Sequence, residues 1–250
     1  MKNKLIKKIS GIFGFKLVEK KTFKNARLIS KYTSLTIKRI LSILFDQNEI
    51  NSIIQIGAND GKSFDELNYF IIKNQTQSLL VEPIKNNFEI LKKTYTNFNF
   101  INLENSAISV NNEISHLFKV NPKYQGLYGS HIPAIPSFEK KHLINHGVKN
   151  KHILKENIVS ISIKDLINKY KINNFDLFYI DAEGYDGKIV YDFLLTVDIR
   201  PIIVFEYIHI DNGFFEILLK KLNDKEYLFF SISENLVCFP KERKIKLNFL

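Results

Sequence analysis

Ile53-Ile54-Gln55-Ile56-Gly57-Ala58-Asn59-Asp60-Gly61 sets the reading of this chain. An apolar run stops abruptly in a loop with a glycine at each end and small or polar residues between. Leu79-Leu80-Val81-Glu82 repeats the idea as an apolar strand tipped by an acid. Glycine lets the main chain turn sharply and leaves room for a ligand against it. An acid at the tip of the neighbouring strand is placed to accept hydrogen bonds from both hydroxyls of a ribose. Together the two stretches suggest a nucleoside-bearing cofactor in the crevice of an α/β sheet.

Strands and helices alternate outward from this point. Ser52–Ile56 reads as a first strand and Lys62–Lys73 as the helix after the glycine loop. Ser78–Glu82 is a second strand, and Ile84–Tyr95 a helix with Phe88, Leu91 and Lys92 at helical spacing. Asn99–Leu103 is a third strand leading into Asn105-Ser106-Ala107-Ile108. Phe175–Ile180 and Pro201–Phe205 are continuous apolar runs, as expected for strands covered on both faces. Asp186 reads as the cap of a helix entered at Gly187, and Asp211 or Asn212 as the cap of Phe214–Leu222. Tyr227–Ser231 and Leu236–Phe239 are close enough to form a hairpin. This order predicts a doubly wound, mostly parallel sheet with an antiparallel edge.

Residues 110–160 break the rhythm. Two short strands are expected, Glu113–Val120 and Asn157–Ile163, around a polar, irregular stretch that holds His131, His142, His146 and His152. Long insertions of this kind in compact domains serve as lids or mobile linkers. The preferred reading is a substrate lid, with Tyr124 and Tyr128 available to stack against a sugar ring.

The net charge of +10 is concentrated at one end. Residues 1–50 carry twelve Lys/Arg against Glu19, Asp46 and Glu49, so the rest is nearly neutral. The chain therefore divides into a basic extension, residues 1–46, and a body, residues 47–250, that contains the lid. Leu5, Ile6, Ile9, Ile12 and Phe13 fall at helical spacing among lysines, so residues 1–21 form a basic amphipathic helix. It either packs on the body or lies on an anionic membrane surface. Gly11, Gly14 and Lys16 interrupt it, which makes it a poor secretory signal. Cys238 is the only cysteine, so no intramolecular disulfide can form and a reducing, cytoplasmic setting is expected, with possible association at the inner membrane surface.

The glycine loop, the acid-tipped second strand and Asp181-Ala182-Glu183-Gly184-Tyr185-Asp186 together resemble the FkbM-type methyltransferases, from about Ile53 to His209. That family's Gly-Ala-Asn-x-Gly is matched by Gly57, Ala58, Asn59 and Gly61, and its Val-Glu-Pro by Val81, Glu82 and Pro83. Its Asn-x-Ala-Ile-Ser segment is matched by Asn105, Ala107, Ile108 and Ser109. Ile-Asp-x-Glu-Gly-Tyr is matched by Ile180, Asp181, Glu183, Gly184 and Tyr185, and the acid ending the fifth strand by Glu206. The resemblance implies a class I methyltransferase-like (Rossmann-like) fold that uses S-adenosylmethionine.

On that resemblance, Gly57, Ala58 and Gly61 shape the turn beneath the cofactor's amino-acid portion. Asn59 and Asp60 either receive its amino group or cap the next helix. Glu82, beside Pro83, binds the ribose. Asn105 and Ala107 lie near the adenine, and Asp181 and Glu183 complete the cofactor contacts. Methyl transfer to a hydroxyl needs a base or a divalent cation, because the hydroxyl is nearly as weak an acid as water, with a pKa of roughly 16. Asp181 or His209 is the base, or Asp181, Glu183 and Glu206 hold Mg²⁺ through oxygen ligands.

The leading function is thus O-methylation of a sugar, glycan or small molecule. A nicotinamide-dependent oxidoreductase is a weaker alternative, since its turn normally reads Gly-x-Gly-x-x-Gly. A non-catalytic membrane-surface or nucleic-acid binding protein is a third. The near-neutral body disfavours nucleic acid, and the Asn/Asp-Pro-Pro-Tyr-like signature of N-methylation is absent.

Overall fold

The computed structural model describes residues 36–63, 65–112, 116–129 and 136–243. The expected amphipathic helix of residues 1–21 and the lid residue His131 lie outside them. A central sheet is built from β1 (Ser52–Ile56), β2 (Gln77–Val81), β3 (Ile101–Glu104), β8 (Leu177–Ile180), β9 (Ile202–Glu206), β10 (Tyr227–Ile232) and β11 (Asn235–Pro240). Across the sheet the order is β3-β2-β1-β8-β9-β11-β10, with every pair parallel except the two that β11 makes. The hairpin is present, but its reversed strand β11 is not the edge. It sits between β9 and β10, and β10 closes the sheet.

Alternation along each strand assigns the two faces. Ile54 and Ile56 of β1, Phe178 and Ile180 of β8, and Ile203 and Phe205 of β9 point to one buried cluster. That cluster is completed by α5 (Ile163–Lys169), α6 (Asp186–Thr196) and α7 (Asn212–Asp224). Ile53, Leu177, Tyr179, Ile202 and Val204 point to the opposite cluster, with α1 (Ile37–Asp46), α2 (Asn68–Asn74) and α3 (Lys85–Thr94). The result is a three-layer α/β/α body. Sequential connections run outward from β1 in one direction and from β8 in the other. The chain therefore leaves a crevice at the carboxyl ends of these neighbours, where open α/β sheets bind ligands.

Three local departures have physical causes. Ile37–Asp46 falls inside the span read as extension, yet Ile40, Leu41 and Leu44 are buried against the sheet as α1. The helix expected from Lys62 begins only at Asn68. Asp60 accepts from the Lys62 and Ser63 N–H groups, and Asp65 from those of Leu67 and Asn68, so two successive turns replace the first helical turn. Asp186 is the first residue of α6 rather than its cap. Its two carboxylate oxygens accept the Ala182 and Gly184 N–H groups at 3.2 Å, so it holds the loop upstream.

The insertion is more ordered than its polar composition suggests. β5 (His116–Val120) pairs antiparallel with β6 (Ile153–Asn157), and α4 (Lys140–Asn145) packs Leu143 with Val120 and Val148 in a small core of its own. The second strand of the pair thus precedes the expected Asn157–Ile163. That segment instead holds the short β7 (Ser160–Ile161), paired with β4 (Ala107–Ile108), and the start of α5. Tyr124 stacks on His152 at 4.0 Å, and the Tyr128 hydroxyl meets His152 Nδ1 at 2.6 Å. Both tyrosines are engaged within the insertion and line neither cavity described below.

Candidate active site

The crevice at the ends of β1, β2 and β8 holds a cavity of about 260 Å³. The glycine loop and the second strand meet there directly. Gly57 and Ala58 N–H groups donate to the Val81 carbonyl at 3.0 Å, and the Asn59 N–H donates to the Glu82 carboxylate at 2.9 Å. The other Glu82 oxygen accepts from the Ile84 N–H at 2.8 Å. Each carboxylate oxygen keeps a second lone pair. Glu82 is only 4% exposed, and burial pushes its pKa up to about 7 despite these two donors.

The residues named from the motifs separate into two groups. Gly57, Ala58, Asn59, Glu82, Pro83, Ala107, Asp181 and Glu183 all line the cavity. Gly61 and Asn105 do not. Gly61 takes a left-handed φ of 73° and turns its back on the cavity, since a Cβ there would strike Tyr95 and Leu91. The Asn105 amide donates to the Glu82 and Pro83 carbonyls, so it anchors the strand tip from behind. Asp60 is spent on its own turn, as described above.

Further lining residues fall outside the motifs: Gln55, Asp65, Glu66 and Tyr179 from the body, and Leu117 and Phe138 from the insertion. Gln55 carried a signal, being the one polar residue of the apolar β1 run. Its amide donates to Asp65 at 3.4 Å, and Tyr179 donates to Glu66 at 2.9 Å. Gln55 Oε1 and Asp65 Oδ2 are buried without a hydrogen-bond partner among the described residues. Among the described residues five carboxylates line the cavity (Asp65, Glu66, Glu82, Asp181, Glu183) and no Lys, Arg or His does.

Asp181 follows β8 and is accessible, but from within the crevice. Crowding by protein, then the charges of Glu66 and Asp65, push its pKa up to about 6. Glu183 stands in the left-handed region at φ 48°, a costly conformation for a residue with a Cβ, and Gly184 follows at φ 94°. Burial and the Asp181 charge raise the Glu183 pKa to about 9. Its carbonyl accepts from the Ser137 hydroxyl of the insertion at 3.1 Å.

His209 lies elsewhere, in a second cavity of about 310 Å³. Glu183, Ser137 and Phe138 line both cavities, so the two adjoin through these residues. Glu206 stands 3.7 Å from His209 Nε2, and burial and then Asp181 push its pKa up to about 8. Asp181, Glu183 and Glu206 do not converge on one point. Among the described residues the only set of three or more metal-capable side chains is His142, His146 and His209.

Residues 55–229 match the family described as the methyltransferase FkbM domain. The chain belongs to the FkbM methyltransferase family. In fold it is similar to the FkbM methyltransferase of Methylobacillus flagellatus KT, at 14% identity and a TM-score of 0.46, covering 76% of this chain and 44% of that one. This chain thus spans less than half the length of that structure. It is also similar to the O-methyltransferase of Bacillus cereus in complex with SAH, at 9% identity and a TM-score of 0.45, covering 89% and 92% of the two chains. No curated protein matches in sequence. Among the described residues no helix is long and apolar enough to cross a membrane.

The family implies S-adenosylmethionine, and the residues present fit it. Its sulfonium and ammonium charges suit a cavity whose ionisable lining among the described residues includes five acids and no Lys, Arg or His. The orphaned Gln55 Oε1 and Asp65 Oδ2 offer the acceptors an amino group would need, and the free lone pairs of the Glu82 carboxylate those that ribose hydroxyls would need. The absent side chain at Gly57 lets the Asp181 main chain pack directly against the loop at the floor of the cavity. A dinucleotide pyrophosphate, carrying negative charge, does not suit the same lining.

Proposed function

We propose that this chain methylates a hydroxyl oxygen of a sugar, glycan or small molecule, with S-adenosylmethionine as donor. The observation that carries the reading is the pairing of two cavities. Among the described residues one is lined by five acids and no Lys, Arg or His, and it shares Glu183, Ser137 and Phe138 with a second one suited to an acceptor. S-adenosylmethionine supplies a methyl group already activated by the positive sulfur.

The protein's own part is to bind, orient and take a proton. Gln55, Asp65, Glu66 and Glu82 would hold the cationic and ribosyl portions of the donor. Phe138, with Tyr185 packed edge-on at 4.7 Å, offers an aromatic face to a sugar ring in the second cavity. Asp181 would act as general base. Its raised pKa of about 6 leaves it ionised at neutral pH but a better base than a solvated aspartate. A small-molecule or glycan product rather than an RNA one is supported by the near-neutral net charge of the body, since a polyphosphate partner calls for basic residues.

The test has two stages. Calorimetry with S-adenosylhomocysteine should give saturable binding, abolished by Glu82→Ala. Incubation with a labelled methyl donor and fractionated cell extract should place label in glycan or small hydroxylated compounds. Label confined to RNA or protein would overturn the acceptor class.

A further inference from the structure

Two of the insertion's histidines meet a third from the body at the rim of the second cavity. His142 lies in α4 and His146 directly follows it, one helical turn on, where residues four apart share a face. His209 follows β9. One ring nitrogen from each falls within 4.8 Å of the others, and the ring centroids lie 4.5, 4.8 and 5.5 Å apart. His146 Nδ1 is 2.9 Å from the His142 carbonyl, so Nδ1 carries the proton and Nε2 is left with its lone pair. His142 Nε2 is buried and lacks a hydrogen-bond partner among the described residues. Gly184 lies against both rings' residues, a Cβ there falling at ordinary contact distance, 3.6 Å from His209 Cβ and 3.7 Å from His142 Nδ1.

Three imidazoles in this arrangement need a reason, since ordinary packing would pair each ring nitrogen with an oxygen. We propose that His142, His146 and His209 bind a divalent transition-metal ion, zinc by preference, in the wall of the second cavity. Three neutral imidazoles suit zinc and its neighbours, whereas Mg²⁺ favours carboxylate and water oxygens. Bonds of about 2.1 Å in a tetrahedral site put ligand atoms roughly 3.4 Å apart, so the rings need close by little more than an ångström. A backbone carbonyl orienting His146 is the outer partner that metal-binding histidines usually have. Glu183, 3.5 Å from His142 Nε2, and Glu206, 3.7 Å from His209 Nε2, place carboxyl groups beside the site that a bound cation would draw into their ionised form.

Three protein ligands leave a fourth position open toward the cavity, as in catalytic rather than structural zinc sites. On the reading of that cavity as the acceptor site, an acceptor oxygen reaching this position would lose its proton more readily. His209 is then a ligand, and the proton goes to Asp181.

The experiment uses the full chain without an affinity tag, stripped with a chelator and titrated with Zn²⁺ by calorimetry, with S-adenosylhomocysteine titrated in parallel. Expected is one zinc per chain, weakened at least about 100-fold in His142→Ala and in His209→Ala, with the nucleoside still bound. Co²⁺ in place of zinc should give the visible absorption of a tetrahedral nitrogen site in the wild type only. If an alanine variant fails to fold, His142→Gln, which keeps size and polarity, must lose the ion in its place. Absence of saturable binding by the wild type, or equal binding by the histidine variants, overturns the site. Zinc binding intact without nucleoside binding would instead sink the proposed methyl transfer and leave the metal site standing.

Discussion

A Cβ added to Gly57 would lie 1.9 Å from the carbonyl oxygen of Asp181. The ends of β1 and β8 are therefore in main-chain contact at the floor of the cavity, and the Asp181 N–H donates to the Ile56 carbonyl at 3.0 Å beside it. One missing side chain permits both the turn and the convergence of the loop with the acids.

Gly57→Val is expected to fail on two counts, because φ is 82° and the colliding partner is main chain. The fold should lose about 3 kcal/mol or more. An unfolding free energy from urea titration within about 1 kcal/mol of wild type would show that the floor can shift.

Glu82 gives a pH signature. Its native pKa of about 7 lies above the ordinary 4.5, so the folded protein holds a proton that the unfolded chain has released. Stability of the ligand-free protein therefore falls as pH rises through that window. Ribose hydroxyls donate to the ionised form, so S-adenosylhomocysteine affinity should climb as pH rises toward about 7 and level off above it. Below that point it should drop roughly tenfold per pH unit. Glu82→Gln should flatten the profile; a profile unchanged in that variant would remove Glu82 from the ribose site.

Asp181→Asn separates chemistry from binding. Loss of the base should lower kcat by about 10²–10⁴ while S-adenosylhomocysteine affinity changes little. The wild-type rate should rise with pH through about 6 as Asp181 ionises. Equal losses in turnover and affinity would move Asp181 into the cofactor site.

Asp186 is fully buried and holds two main-chain N–H groups of the Asp181–Tyr185 loop. Asp186→Ala should cost about 2–4 kcal/mol, because both donors are then stranded. It should also disorder the loop that carries Glu183, which amide exchange at Ala182 and Gly184 would register. Unaltered exchange would mean that the turn holds itself.

The body was legible in the sequence wherever burial on both faces writes an uninterrupted apolar run, as in β1, β8 and β9. The meeting of Gly57 with Glu82 could be read because each sits at the end of such a run. Local side-chain competition hid other features. Asp60 and Asp65 each take two N–H groups and delay α2, although their spacing resembles a helix start. α5 was obscured by the apolar Ile161 and Ile163, yet Ser162 and Asp165 carried its cap: the Ser162 hydroxyl accepts the Asp165 N–H at 3.0 Å. The histidine cluster had no linear trace. His142 and His146 show helical spacing, but only the placement of β9 beside β8 brings His209 to them.

Glu183, Ser137 and Phe138 form a party wall between two chambers. A wall shared in this way makes the tenants' affairs mutual. With donor and acceptor seated as proposed, whatever the donor's arrival does to the grip on the acceptor, the acceptor does to the donor by the same factor. Spent nucleoside left in place would therefore alter the neighbour's hold as well as block its own chamber, so product inhibition should depend on how much acceptor is present.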